Sequence, residues 1–334
     1  MKHKLKTLTT ALAVAGALSA ISLPAQAYVY AEAGVHISNL SIGIGTISPT
    51  GAFTPATATI NAFTFTAQDS ANLNNTGNIG YSAVCGSATT ACSTSAPVLD
   101  IPAANGLGGS VTRVNNAFNQ FGSGAGSYSN ADAVITSAEL VTGTPTNLQV
   151  IAESNLVGSG SAATANASIQ SATGFTLHFN VSGTNAFKIT FNATADTTAA
   201  FLDAPGTKGT AQGDISTGLK LIKDGTSTQA FWNPDGTSAV CLGVGGLTCA
   251  SVSEGANLNR HAGATTNGST DPYSGSGPFI LVLAGLTDGI YTLTLQTQAQ
   301  TTVTRVPEPA SLALMGIGLA ALGGFVAARK RKQG

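Results

Sequence analysis

The stretch GFTLHFNVSGTNAFKITFNATAD, residues 174–196, holds two alternating runs around a short polar break. Phe175, Leu177, Phe179 and Val181 recur at every second position. Phe187, Ile189, Phe191, Ala193 and Ala195 repeat the pattern after Ser182-Gly183-Thr184-Asn185. A period of two places successive side chains on opposite faces of a strand, so each run describes a strand with one buried face. The break between them predicts an antiparallel hairpin.

Working outward, the same logic recurs. LKLIKDGTSTQAFW, residues 219–232, places Asp224-Gly225 between two strand-like runs, a strong hairpin signal. Asp235-Gly236 supplies another turn. FILVLAGLTDGIYTLTLQTQA, residues 279–299, predicts a third hairpin, with Phe279 to Ala284 turning at Asp288-Gly289 into Tyr291, Leu293 and Leu295. Within it, Leu286, Gly289 and Tyr291 are spaced as in a tyrosine corner of Ig-like and fibronectin-type sandwiches. Runs at 35–44, 59–67, 133–141 and 163–169 also read as strands. Residues 100–130 are rich in Gly, Ser and Asn and predict a long surface loop. Many short strands joined by Gly-rich turns define an all-β fold, an antiparallel β-sandwich or jelly-roll-like domain. A right-handed β-helix has a similar composition, but no repeat of 20–30 residues is present and the hairpin signals oppose it.

Charge narrows the partners. Between Tyr28 and Arg305 the chain carries seven cations and fourteen acids, about −7, although the full chain is −1. Such a surface opposes nucleic acid, which needs a cationic face. It leaves neutral sugars open. Twelve of the thirteen Phe lie in this span beside many Thr, Val and Ile, which argues for a packed β domain rather than disorder.

The four cysteines form two close pairs, Cys85 with Cys92 and Cys241 with Cys249. Two local disulfides are the expectation. A zinc site built from all four is the functional alternative, but the spacings are wider than zinc motifs use. No other metal site and no cofactor is expected.

Residues that could carry catalysis are scarce. The histidines after residue 27 are His36, His178 and His261. His178 alternates out of the Phe175/Leu177/Phe179 face and reads as a solvated strand residue. His261 lies in a polar loop and reads as a loop residue; a site shared with Glu254 is the functional alternative, without metal-ligand spacing to support it. G-x-S-x-G, H-E-x-x-H, P-loop and EF-hand patterns are all missing. Asp69 and Asp271 are expected in loops rich in oxygen ligands, where calcium is an option and a turn role the plainer reading. Trp232 and Tyr273 could stack on a sugar ring, although a lone Trp beside Phe231 is more often core. No catalytic residue is assigned, and the chain reads as a non-enzyme.

The two ends are of another kind. Lys2, Lys4 and Lys6 precede an apolar stretch, Leu8 to Ile21. Pro24 and the small-x-small site Ala25-Gln26-Ala27 follow, the pattern of a secretory signal peptide over residues 1–27. At the other end, Val306-Pro307-Glu308-Pro309 leads into a charge-free apolar stretch and then into Arg329, Lys330, Arg331 and Lys332. At about 1.5 Å per residue, Leu312 to Ala328 spans roughly 26 Å, near the roughly 30 Å hydrocarbon core, and Ala310 and Ser311 lengthen it. This predicts a transmembrane helix over 310–328, its basic tail acting as a cytoplasmic stop. Gly316, Ala320, Gly324 and Ala328 give it a stripe of small residues that suits close helix approach.

A Pro-Glu-Pro triplet, an apolar Gly/Ala/Leu helix and a terminal basic knot, in that order, resemble the PEP-CTERM sorting signal of Gram-negative bacteria. The resemblance covers about residues 306–332. It implies export through the Sec translocon, processing by an exosortase, a membrane-embedded cysteine protease-like enzyme, and a link to extracellular polysaccharide and biofilm. The sorting element maps onto Pro307, Glu308 and Pro309. The expected organisation is a signal peptide at 1–27, an exported β-sandwich domain at 28–305, and a sorting signal at 306–334. The domain would be held briefly on the periplasmic side of the inner membrane and then reach the cell surface or medium. The expected role is a non-enzymatic surface or matrix protein associated with exopolysaccharide. A secreted hydrolase acting on polysaccharide is the alternative.

Overall fold

The computed structural model describes residues 28–56, 59–73, 76–86, 94–102, 116–136, 146–157, 162–177, 184–203, 207–238 and 241–306. The expected signal peptide, Pro307 to Pro309, the expected helix 310–328 and the basic tail lie outside them. So do His178 and Cys92, and with Cys92 the Cys85–Cys92 pair. Among the described residues no helix is long and apolar enough to cross a membrane.

The first strand, β1 (Tyr28–Ile47), shows how the chain reads out its own pattern. Val29, Ala31, Ala33, Val35 and Ile37 are buried, and then the row switches parity to Leu40, Ile42 and Ile44. A one-residue bulge causes the switch. Pairing with both neighbours slips between residues 37 and 41. Asn39 sits there with φ 56°, a left-handed conformation that Asn tolerates better than most residues. Without the bulge, every apolar side chain beyond it would point to the wrong face.

Among the described residues the strands form two eight-stranded antiparallel sheets. In the first, β13 (Thr248–Glu254), β15 (Ser269–Ala284), β9 (Thr184–Leu202), β1, β7 (Thr146–Val157), β6 (Tyr128–Thr136) and β5 (Thr94–Pro102) lie in that order, with β2 (Phe53–Pro55) on the end of β1. In the second the order is β12 (Cys241–Val244), β11 (Gln229–Trp232), β10 (Lys208–Lys223), β16 (Gly289–Val306), β8 (Ala162–Leu177), β3 (Thr59–Leu73) and β4 (Thr76–Gly86), with β14 (His261–Ala264) beside β10. The all-β, sandwich-like expectation holds. The strands are longer than expected, since β1 alone has 20 residues.

Two of the three expected hairpins are corrected. β8 pairs with β3 and β16, whereas β9 pairs with β1 and β15, so the opening stretch crosses from one sheet to the other. β15 and β16 likewise belong to different sheets. The physical reason is common to both. Alternation states that a strand has one buried face, and a short loop can either reverse within a sheet or step about 10 Å to the facing one. In the second option Phe279, Leu281 and Leu283 meet Tyr291, Leu293 and Leu295 across the core, all of them buried. The hairpin at Asp224-Gly225 forms as read, with Leu219 opposite Trp232 and Gly225 at φ 70°. The row Phe187, Ile189, Phe191, Ala193 and Ala195 is buried as read. Tyr291 does make a tyrosine-corner contact: its hydroxyl donates to the Thr287 carbonyl at 3.0 Å and accepts from the Thr287 amide at 3.1 Å.

The core changes in side-chain size from one end to the other. Phe187, Phe191, Trp232, Phe279 and Tyr291 fill the first part, with Phe191 stacked on Phe279 at 4.8 Å between centroids. Around Val29 and Val303 half of the cluster is alanine, Ala31, Ala199, Ala211, Ala262 and Ala264, beside Leu73, Leu156 and Phe201. Short side chains let the sheets approach, and a Cβ on Gly213 would fall 2.4 Å from the Glu32 carbonyl oxygen of the facing sheet. Between the two parts, the hydroxyls of Ser154 and Thr301 hydrogen-bond across the sheets at 2.8 Å.

Cys241 and Cys249 form a disulfide with Cα atoms 6.3 Å apart. It does more than close a loop, because β12 and β13 belong to different sheets and the bond fastens their edges together. Loop-closure entropy for a ring this small corresponds to about 2–3 kcal/mol. Cys241→Ser with Cys249→Ser is therefore expected to lower unfolding stability by that amount. Non-reducing peptide mapping of the exported protein should recover the 241–249 cross-link; free thiols at both positions would contradict it.

Candidate functional site

The residues singled out as sugar platforms or metal ligands are built into the framework. Trp232 is fully buried, so it offers no stacking face. Its ring packs against Phe191 and Phe279, and its indole N–H donates to Glu254 Oε1 at 2.6 Å. The other Glu254 oxygen accepts from the amides of Asp235, Gly236 and Ser238 at 2.9, 2.8 and 3.2 Å. Glu254 therefore fixes the 235–238 turn to the core and does not pair with His261. His261 opens β14 and its Nδ1 makes an exposed hydrogen bond with Asp214 Oδ1. Tyr273 lies beneath the Arg260 guanidinium and accepts from the Asn257 amide at 2.7 Å.

Asp69 and Asp271 are corrected from loop to strand. Asp69 lies in β3, 4% exposed, on the inward row with Phe65, Ala67, Ala71 and Leu73. Asp271 lies in β15, bound to Arg260 at 2.8 Å and accepting from the Gly263 amide at 3.1 Å. An apolar row running at period two through a polar stretch outweighs local turn propensity. Among the described residues no group of three or more His, Cys, Asp or Glu could hold a metal ion.

Sequence reasoning missed the most elaborate polar feature, on the outer face of the first sheet. Glu32 and Glu153 stand directly opposite each other on β1 and β7, and Asn130 of β6 lies opposite Glu153. Glu32, Asn130, Asp132 and Glu153 are all buried. Residues 116–127, part of the expected surface loop, cross this face and are pinned to it. Glu153 Oε1 accepts from Tyr30 Oη at 2.8 Å, Tyr128 Oη at 2.7 Å, the Phe121 amide at 3.0 Å and the Gly122 amide at 2.9 Å. Asn155 Nδ2 donates to the carbonyls of Ser123 and Gly126 at 2.9 and 2.6 Å. Asp132 accepts from the Asn116 amide at 2.8 Å. The segment is a strap, and the sheet's side chains satisfy its backbone at Asn116, Phe121, Gly122, Ser123 and Gly126.

Beside the strap, Glu32, His36, Phe118, Gln120 and Asp196 line a hollow of about 80 Å³. Ligand pockets of drug-sized molecules run from about 300 to 1,000 Å³, so this hollow suits a few waters rather than a sugar or cofactor. Burial lowers the His36 pKa below its ordinary 6.5. In the window below 6.5 the unfolded chain binds the proton more readily than the folded one, so stability falls as pH drops and is recovered as pH rises. His36→Gln is expected to flatten this part of the profile. Urea unfolding of both proteins at neutral pH and at pH 5 checks it; an unchanged slope in the variant would remove His36 from the account.

The chain's end completes the picture. β16 runs to Val306, which is paired with Lys208 of β10. A family model described as the PEP-CTERM protein-sorting motif matches residues 305–332. The tail carries this sorting motif. The PEP-CTERM match begins at Arg305, a residue still inside β16, so fold and signal abut without a spacer. The motif marks an exported protein that is anchored in the membrane and processed by an exosortase, a membrane protease-like enzyme. No curated protein matches the chain. Among solved structures, a chain from the infectious bursal disease virus Gx strain is similar over 86% of this chain and 83% of its own length, at 10% identity and a TM-score of 0.09; a likeness at that score carries no argument.

Proposed function

We propose that the β-sandwich, once released from the membrane, serves as a non-enzymatic surface or matrix protein associated with exopolysaccharide. The observation that carries the reading is the PEP-CTERM motif at 305–332. Its N-terminal counterpart in this reading is a cleaved signal peptide at 1–27, and its membrane element is the helix 310–328. Further support comes from where the chemistry-bearing side chains are used. Glu254, Asp271, Asp203 and Glu153 each bind groups of their own fold, which holds structure rather than substrate.

The outer face of the second sheet offers a contact surface for neutral polymer. Leu242 is 61% exposed and Val244 39%, on the disulfide-fastened strand β12. Leu242 lies opposite Phe231, which lies opposite Lys220, whose ammonium sits 5.1 Å from the Phe231 ring centre. Apolar side chains beside a cation and neutral amides suit the mixed apolar and hydroxylated surface of a sugar chain. The test is a glycan array with the released domain, run beside a panel of polysaccharide hydrolase substrates. Binding without turnover, weakened by Leu242→Ser with Phe231→Ala, is expected. Turnover of any polysaccharide in the panel would replace this reading with a secreted hydrolase.

A further inference from the structure

Both ends of the folded domain leave from the same end of the sandwich. Tyr28 opens β1 opposite Val157 and Leu202, and Val306 closes β16 opposite Lys208. The two termini are near neighbours, since Val29 and Val303 share one core cluster and Asp203, next to Leu202, binds Arg305. The C-terminal end has no slack in the sequence. Only Pro307, Glu308 and Pro309 separate Val306 from Ala310, where the expected membrane helix begins. Four residue steps of extended chain reach at most about 14 Å. The headgroup layer on each side of a bilayer takes up roughly 5–8 Å of this.

Peeling β16 from the sheet would lengthen the reach, and the fold opposes it. The Asp203 side chain is fully buried and the Arg305 side chain only 12% exposed. Arg305 Nη2 donates to Asp203 Oδ1 at 2.8 Å, and its Nε donates to the other oxygen. Asp203 is held in turn by Asn267, which accepts from its amide at 2.8 Å and donates to its carbonyl at 2.7 Å. Charge agrees with the geometry. The described residues that cap this end, 203, 207–208 and 265–269, contain one acid, Asp203, and it is neutralised by Arg305, while Lys208 is exposed. The fourteen acids of a domain at about −7 would otherwise be repelled by anionic lipid.

We propose that this end of the sandwich, formed by residues 203, 207–208 and 265–269 around the two chain termini, is a docking surface that lies against the lipid headgroups while the sorting signal is in the membrane. The 224–228 turn then points away from the membrane, and Leu242 and Val244 lie on the side of the sandwich toward that far end. The proposal rests on the membrane-anchoring reading of the tail, and it adds which end of the domain meets the lipid.

Cysteine accessibility tests it. Thr265→Cys marks the docking end and Ser227→Cys the opposite end; both positions are exposed. The full chain, kept unprocessed by alanines at 307–309, is placed in nanodiscs of phosphatidylethanolamine and phosphatidylglycerol and labelled with a bulky polyethylene glycol maleimide. The released domain serves as reference. Thr265→Cys should label several-fold more slowly in nanodiscs than in the released domain, and Ser227→Cys equally in both. A twelve-residue Gly-Ser insertion after Val306 should restore labelling of Thr265→Cys. Equal labelling of Thr265→Cys in both forms overturns the proposal. So does protection that appears in spheroplasts but not in nanodiscs, which would assign the surface to a protein partner. If the full chain fails to enter nanodiscs at all, the anchoring reading itself falls, and the orientation with it.

Discussion

Replacing Pro307, Glu308 and Pro309 together by alanine is expected to leave the protein uncleaved and bound to the inner membrane. The physical case is that two prolines fix φ near −65° and disfavour helix in the residue before each, so on the proposed sorting reading the segment is expected to stay extended ahead of the expected helix 310–328. Alanine removes that constraint and favours propagation of the helix backwards toward Val306. An extended substrate then becomes a helical one, and the glutamate that completes the triplet is lost. Fractionation followed by mass spectrometry is the measurement. Wild-type extracellular protein should lack peptides from Met315 to Gly334, and the triple variant should be found in the membrane fraction at full length. Normal release of the triple variant, or tail peptides in wild-type extracellular protein, would refute the sorting account. Leu319→Arg acts on the next step: a cation at a helix centre costs about 2.5–3.5 kcal/mol on insertion scales, so retention of the uncleaved form should weaken.

The domain shows which parts of a β fold a sequence exposes. The row from Phe187 to Ala195 was legible because large apolar side chains alternate with polar ones, and that pattern maps directly onto a one-faced strand. Its partner was not legible. Pairing is decided by which sheet a strand joins, and the loop after β8 carries no local mark that separates a reversal from a crossing. Tyr291 was legible because a tyrosine corner is a local contact over four residues. The parity switch in β1 lies in plain view as Val35, Ile37, then Leu40, Ile42, Ile44, and Ser38-Asn39 is where the extra residue sits.

The strap and its acids stayed hidden for a different reason. In YVYAEAGV and LQVIAESNLV the acids Glu32 and Glu153 interrupt runs that are apolar on both faces. Such a run belongs to a strand covered on both sides, which requires a covering element. Phe118 and Phe121, aromatic residues within a Gly/Ser/Asn-rich stretch, were the other half of that signal. Phe121 packs edge-on against Tyr128 at 5.9 Å, which ties the strap to β6.

Glu153 is the residue on which the strap depends, and its loss is expected to be among the most damaging single changes in the domain. One carboxylate satisfies two buried hydroxyls and two backbone amides at 2.7–3.0 Å. Glu153→Gln keeps the volume but removes the charge and turns an NH₂ group toward donors. Hydrogen bonds to charged groups contribute about 1.5–3 kcal/mol each and are not additive, so a net loss of about 3 kcal/mol is expected. Glu153→Leu removes this acceptor from all four donors, although the Tyr128 hydroxyl keeps the Gly122 carbonyl at 3.1 Å, and should cost more, on the order of 4–5 kcal/mol. Beyond the stability loss, a specific local signature is expected. The Phe121 and Gly122 amides should exchange with solvent faster in Glu153→Gln, while the amides of β9 and β15 keep their relative protection, because the strap lies outside the sandwich core. Urea unfolding gives the first quantity and hydrogen exchange the second. A variant within about 0.5 kcal/mol of wild type, the range of ordinary surface substitutions, would show that the strap is held by its aromatic packing and not by this carboxylate.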